Sequence, residues 1–206
     1  MKLFSLLALA AVTHGSVFAG DIDPAWNTSA ELGAITTSGN TAGTSVTGRI
    51  DARQELDDWS NQYIVSGYFK EDEKTIGNGD TVTVKSAERV SLSAKAAYKL
   101  MEDGKKLFVL GTYVDDKFGA YTTYSTMAVG HAWGWETSKD RRIDLEVGPG
   151  YFTGTRANGE AENGFTVRGA AAVRWRLSPS AMFAQSVSVE RGTSNVHSIA
   201  EASVST

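Results

Sequence analysis

The sequence predicts an all-β protein, an antiparallel up-and-down transmembrane β-barrel, and three observations carry that prediction. Apolar and polar residues alternate along most of the chain. Clusters of Gly, Asn, Asp, Ser and Pro interrupt the alternation at hairpin spacing. Nothing approaches the roughly 18 consecutive apolar residues of a membrane helix. The clearest ribbon is residues 165–177, FTVRGAAAVRWRL. Phe165, Val167, Gly169, Ala171, Val173, Trp175 and Leu177 form one set, and Thr166, Arg168, Ala170, Ala172, Arg174 and Arg176 the other. Side chains of a strand alternate between faces, so one face is apolar and the other carries the arginines. Wound as a helix, the same residues would be smeared around the cylinder.

Residues 1–19 read as a signal peptide, leaving 20–206 as one barrel domain. Lys2 supplies the positive start, residues 3–12 the apolar run, and Val17-Phe18-Ala19 the small-residue site before Gly20. No cysteine follows the cut, so no lipid anchor is attached there, and the chain has no cysteine for a disulfide or thiolate. The expected address is a bacterial outer membrane. Its 206 residues carry a net charge of −4, with both signs mixed, which gives no nucleic-acid footprint.

Taken in order, the first strand lies at 26–37, with Ala30, Leu32 and Ala34 on one face and Ser29, Glu31 and Thr37 on the other. After a turn at Ser38-Gly39-Asn40, residues 44–55 set Val46, Gly48, Ile50 and Ala52 against Arg49, Asp51, Arg53 and Glu55. Asp57-Asp58 turns the chain into 59–70, where Tyr63, Val65, Gly67 and Phe69 oppose Gln62, Ser66 and Lys70. A polar loop at 71–81 leads to 84–98, with Val90, Leu92, Ala94, Ala96 and Tyr98 against Arg89, Ser91, Ser93 and Lys95. Glu102-Asp103-Gly104 is a hairpin turn. Residues 107–115 are apolar on both parities, so their faces stay unassigned. A loop at 117–123 precedes 124–135, where Met127, Val129, Trp133 and Trp135 oppose Thr126, Ala128 and Gly130.

Beyond a turn at 138–140, Ile143, Leu145, Val147 and Tyr151 oppose Arg142, Asp144, Glu146 and Gly148. Pro149 cannot donate to a ladder, which predicts a bulge or strand end there. A long polar loop at 153–163 leads into the 165–177 ribbon. Ser178-Pro179-Ser180 ends that ribbon, and strands at 181–191 and 195–206 flank a turn at 192–194. The count is about ten strands of bilayer-crossing length.

Alternation alone does not say which face meets water: a soluble lipocalin-like barrel is apolar inside, and an outer-membrane barrel is apolar outside. Three features predict the second arrangement. Short links near Asp57, Glu102, Ser138 and Pro179 alternate with mostly longer ones, although the short link near Gly192 breaks the trend. Trp26, Trp59, Trp133, Trp135 and Trp175 fall at the short-turn end or the N-terminus, as one aromatic girdle. Tyr68, Phe69, Phe118, Tyr121, Tyr124, Tyr151, Phe152 and Phe165 fall at the other end, as a second. Finally, the apolar midsections are nearly free of charge, where each charge would cost roughly 2–4 kcal/mol at the bilayer midplane.

The opening WNTSAELGAITTSGNT, the Trp59 segment and Asp115-Asp116-Lys117-Phe118 together resemble the YdiY-like family, described as salt-induced outer-membrane proteins and a domain of unknown function. The resemblance covers nearly all of the mature chain. It implies an outer-membrane barrel loosely associated with salt stress and no known activity, so it assigns no site residue. Members look longer by about one hairpin, giving about twelve strands. The chain ends Ser203-Val204-Ser205-Thr206 without the terminal aromatic that barrel-assembly machinery reads, which predicts a barrel incomplete at its C-terminus.

The charged face supplies the candidate lumen-lining residues: Arg49, Asp51, Arg53, Arg89, Lys95, Asp144, Glu146, Arg168, Arg174, Arg176 and Glu190. Opposed rows of opposite sign would interlock as a plug, whereas spaced rows would line a narrow aqueous path. His131 and His197 share no metal-ligand spacing. No nucleophile elbow marks a serine. The acidic residues of the long-loop rim lack calcium-loop spacing, so they read as solvated loop charge, with cation bridging to lipopolysaccharide or calcium sites as the sharper alternative. The expected protein is a structural or passive small-solute or ion pore barrel, not an enzyme, with no cofactor. Its expected partners are the lipid bilayer, lipopolysaccharide and the assembly machinery, with no nucleic acid. An outer-membrane enzyme acting on lipid or peptide at the rim and a soluble periplasmic lipocalin-like barrel are the alternatives.

Overall fold

The computed structural model describes residues 9–13, 25–37, 42–77, 80–101, 104–178, 181–192 and 196–205, with 9–13 and 196–205 given by backbone alone. The expected turns at 38–40, 102–103, 179–180 and 193–194, and the cleavage site at 17–19, lie outside the described residues. So do the side chains of His197 and the C-terminal residues.

The strands are β1 (Leu9–Thr13), β2 (Trp26–Thr37), β3 (Gly43–Glu55), β4 (Trp59–Thr75), β5 (Thr81–Lys99) and β6 (Lys105–Asp116). They continue as β7 (Tyr121–Ser138), β8 (Arg141–Arg156), β9 (Ala161–Ser178), β10 (Ala181–Gly192) and β11 (Val196–Ser205). They form one 11-stranded sheet in sequence order, every neighbouring pair antiparallel. Each of the ten expected segments is a strand. The eleventh is β1, inside the segment expected to be a signal peptide, paired antiparallel to one edge of β2. No helix among the described residues is long and apolar enough to cross a membrane.

Two expectations change. The loops at 71–81 and 153–163 are mostly strand, and the one at 117–123 shortens to 117–120: β4 runs to Thr75, β7 starts at Tyr121, and β8 runs to Arg156 before β9 starts at Ala161. Their polar composition marks strand ends standing beyond the apolar band, because a ladder needs backbone groups and not oily side chains. Pro149 likewise makes neither a bulge nor a strand end. It pairs with Val167 in an unshifted register on the β9 side, and the ladder to β7 lapses beside it, between the Ala128–Gly150 and His131–Val147 pairs. The missing N–H is accommodated by that lapse.

The apolar parity faces outward. Val46 is 38 %, Ile50 49 %, Leu92 44 % and Leu145 38 % exposed, so these side chains share no dry interior. The well-buried residues lie on the opposite parity, among them Ala97, Phe108, Leu110, Ala128 and Phe152. Lys95 on β5 touches Glu146 on β8 although β6 and β7 lie between them. Neighbouring strands are about 4.8 Å apart, so such a contact requires the sheet to curl toward that face. The concave face is therefore the one that carries the charges.

β6, ambiguous in sequence, is resolved by this curl. Its Phe108, Leu110 and Val114 point inward and Leu107, Val109 and Tyr113 outward. Phe108 and Leu110 pack with Ala97, Ala128 and Ala132 into a small apolar cluster on the concave side. Gly104 starts this hairpin arm at φ 77°, a left-handed conformation that glycine adopts without strain.

Candidate functional site

The registers place the eleven candidate residues on the inner parity and bring most of them together as neighbours. On β3, Asp51 accepts from Arg53 Nη2 at 3.1 Å, and Gln62 Nε2 on β4 donates to the same carboxylate at 3.0 Å. Other pairs lie along one strand or join neighbouring strands, and Lys95 with Glu146 and Arg89 with Tyr124 reach farther across the curl. Arg89 on β5 lies 3.7 Å from the Asp116 carboxylate and donates to the Tyr124 hydroxyl at 3.3 Å. Lys95 pairs with Glu146, its ammonium 5.1 Å above the Phe108 ring. Asp144 accepts from Arg142 Nε at 2.9 Å and from Arg174 Nη2 at 2.8 Å, a carboxylate clamped between two guanidiniums. Arg168 Nη1 donates to Glu190 at 3.1 Å, and both side chains are well covered. Arg49 lies in the row of Glu31, Ser66 and Ser91. Arg176 reaches the exposed end of β9 opposite Met182.

The concave wall is therefore lined by compensated pairs. Charge-assisted hydrogen bonds are about twice as strong as neutral ones, and a partner of opposite sign spares each group an uncompensated charge away from bulk water. Ahead of Arg168, the Thr166 hydroxyl is buried without a protein partner.

The aromatic residues divide between the faces. Trp26, Trp59, Trp135 and Trp175 are exposed on the outer face, and Trp133 is half-buried there. Trp26 stacks on Tyr63 at 6.1 Å, Trp59 meets Tyr98 edge-on at 5.3 Å, and Arg141 sits 4.6 Å over Trp175. His131 is also outward, stacked on Trp133 at 5.7 Å.

The second expected girdle is corrected. Phe69, Tyr151 and Phe165 face outward, but Tyr68, Tyr124 and Phe152 share the inner parity. Tyr121, Tyr124 and Phe152 form a ring cluster, with centroids 5.2 Å apart for Tyr121–Phe152 and 6.1 Å for Tyr124–Phe152. Arg156 lies over Tyr121 at 5.5 Å, and the Tyr121 hydroxyl donates to Glu162 at 2.6 Å. Counting parity from Thr126 to Tyr124, and from Gly150 to Phe152, identifies two of these rings from sequence. Their position near a strand end alone misplaces them.

Several acidic residues of the long-loop rim have internal partners. Asp72 pairs with Lys70, Asp115 with Lys117, and Glu162 with Arg156. Lys117, in the link after β6, has its ammonium held above the ordinary lysine value by the hydrogen bond to Asp115.

An all-antiparallel meander, curled toward its charged side and apolar on its convex side, is an up-and-down transmembrane β-barrel fold. The chain belongs to the family described as "Protein of unknown function, DUF481", which matches residues 30–206. No curated protein matches it. Among solved structures it is similar to in-vitro folded OmpT, an outer membrane protein of Vibrio cholerae, at 11% identity and TM-score 0.36, covering 79% of this chain and 54% of that one. Outer-membrane expressed OmpT of Vibrio cholerae gives 13% identity and TM-score 0.33, covering 80% of this chain and 54% of that one. The chain spans about half the length of these structures.

Proposed function

We propose that the protein is a bacterial outer-membrane β-barrel of structural type, exported by its leader and embedded in lipid, with an interior narrowed to low conductance. The observation behind this reading is the distribution of side chains between the two faces. Large apolar groups stand exposed on the convex side, while arginines and carboxylates turn inward and pair. In water that arrangement would leave a broad apolar surface uncovered. In a bilayer it is the low-energy one. The same reading gives the tryptophans the role of an interface girdle and makes the bilayer, lipopolysaccharide and the assembly machinery the partners. It assigns no catalysis and no cofactor. A link to salt stress rests on the family resemblance.

One observation favours a second reading, a passive path for small polar solutes. The inner wall of β4 and β5 carries small hydroxyls, with Ser66 Oγ and Ser91 Oγ 2.6 Å apart, and these leave room that longer side chains would fill.

Fractionation followed by reconstitution tests the proposal. The full-length protein is expected in the outer-membrane fraction, with heat-modifiable gel mobility and little or no current in planar bilayers. Recovery from the soluble periplasm would overturn it, and large steady channels would favour the second reading.

A further inference from the structure

Lys95 and Glu146 meet from strands three apart, and the ladder shows how. Lys95 pairs with Leu110, Leu110 with Ala128, and Ala128 with Gly150. Glu146 precedes Gly150, the β8 position on Lys95's own row, by four residues. Strands in a barrel tilt and stagger, so residues at one level drift along the ladder from strand to strand. The tilt thus lifts Lys95 and Glu146 to a common level, and their contact runs around the inside, not along a strand. Three steps of about 4.8 Å separate β5 from β8, and side chains can close that span only as a chord off the wall.

What lies beneath the chord supports it. Phe108, 2 % exposed, offers its ring face to the Lys95 ammonium. The inward positions of β7 between the two partners are Ala128, Gly130 and Ala132, so nothing large blocks the crossing. The ion pair, ring and alanines make one layer, apolar at the wall and charged at its inner surface.

We propose that Lys95 and Glu146 form a strap that narrows the barrel interior and sets what passes through it. The strap rests on the reading of the chain as a membrane barrel and names the residues that hold its interior narrow. The other described ion pairs lie along one strand and its link or join adjacent strands, except Glu55 with Lys99, which spans two steps from β3 to β5. Lys95–Glu146 makes the widest crossing among the described ion pairs.

The experiment is single-channel recording of the full-length protein in planar phospholipid bilayers, with insertion checked by heat-modifiable mobility. Lys95→Ala/Glu146→Ala removes both halves without leaving an unpaired charge, and is expected to raise conductance several-fold over wild type. The exchanged pair, Lys95→Glu/Glu146→Lys, is expected to restore the wild-type level. If the alanines reduce insertion, Lys95→Glu alone, which sets two carboxylates against each other, is compared with the exchanged pair instead. An inserted double-alanine variant that conducts no more than wild type overturns the strap while leaving the barrel standing. A wild-type protein that never inserts overturns the barrel reading and the strap with it.

Discussion

Gly130 on β7 and Gly148 on β8 face each other with no room for a side chain between them. A Cβ on Gly148 would lie 2.0 Å from the Val129 carbonyl oxygen and 2.6 Å from the Gly130 Cα, and a Cβ on Gly130 would lie 2.2 Å from the Val147 oxygen. This close approach sits beside the ladder lapse at Pro149. Gly148→Ala must therefore push backbone from backbone, and overpacking of this kind costs about 1–3 kcal/mol. Gly169→Ala, with nothing within 4 Å of its Cβ, is the control and should be near neutral. Urea unfolding in detergent micelles, followed by tryptophan emission, separates the two.

The two faces of β8 and β10 should respond oppositely to a new charge. Val147 is 47 % exposed on the convex side. Val147→Lys is expected to cost about 2–4 kcal/mol if it meets the bilayer midplane. Ser186→Lys lies on the inner parity and should cost far less. Equilibrium refolding into phospholipid vesicles gives both values, and equal penalties would count against the orientation.

Asp144 holds Arg142 and Arg174 together. Asp144→Asn leaves two neighbouring guanidiniums without their carboxylate. Partly exposed pairs are worth roughly 0–1 kcal/mol each, so a loss of about 1 kcal/mol is expected at low salt. It should shrink as ionic strength rises, because the Debye length falls from about 10 Å at 0.1 M to about 3 Å at 1 M. Melting temperatures across a salt series read this directly, and a salt-independent loss would point to shape instead of charge.

The outer tryptophans should sit at headgroup depth. Trp26, Trp59, Trp133, Trp135 and Trp175 all lie toward one rim of the sheet, the one that carries the links at 56–58 and 139–140. Lipids brominated near the headgroup are expected to quench their emission more strongly than lipids brominated near the chain terminus. The reverse order would remove the girdle. Arg141→Ala should also loosen Trp175, its cation–π partner, by about 0.5–1 kcal/mol.

Much of this architecture is already written in residue order. Period-2 alternation locates nearly all the segments from 26 onward, β6 being found as an apolar run between turns, because a strand must send successive side chains to opposite sides and a half-solvated sheet needs them to differ. Tyr124 and Phe152 show where that reading slips. Parity assigns them to the inner face, whereas nearness to a strand end suggests a girdle. Parity is the stronger signal, since it follows from covalent geometry.

Alternation by itself determined that each ribbon has two chemically distinct faces and that consecutive ribbons are joined as hairpins. The folded sheet decided the rest: which parity of β6 turns inward, which acid answers which base, and that Lys95 reaches Glu146. Those outcomes depend on curl and stagger, which are properties of many strands hydrogen-bonded together. No single segment carries them, because the level at which two side chains meet is set by every ladder between them.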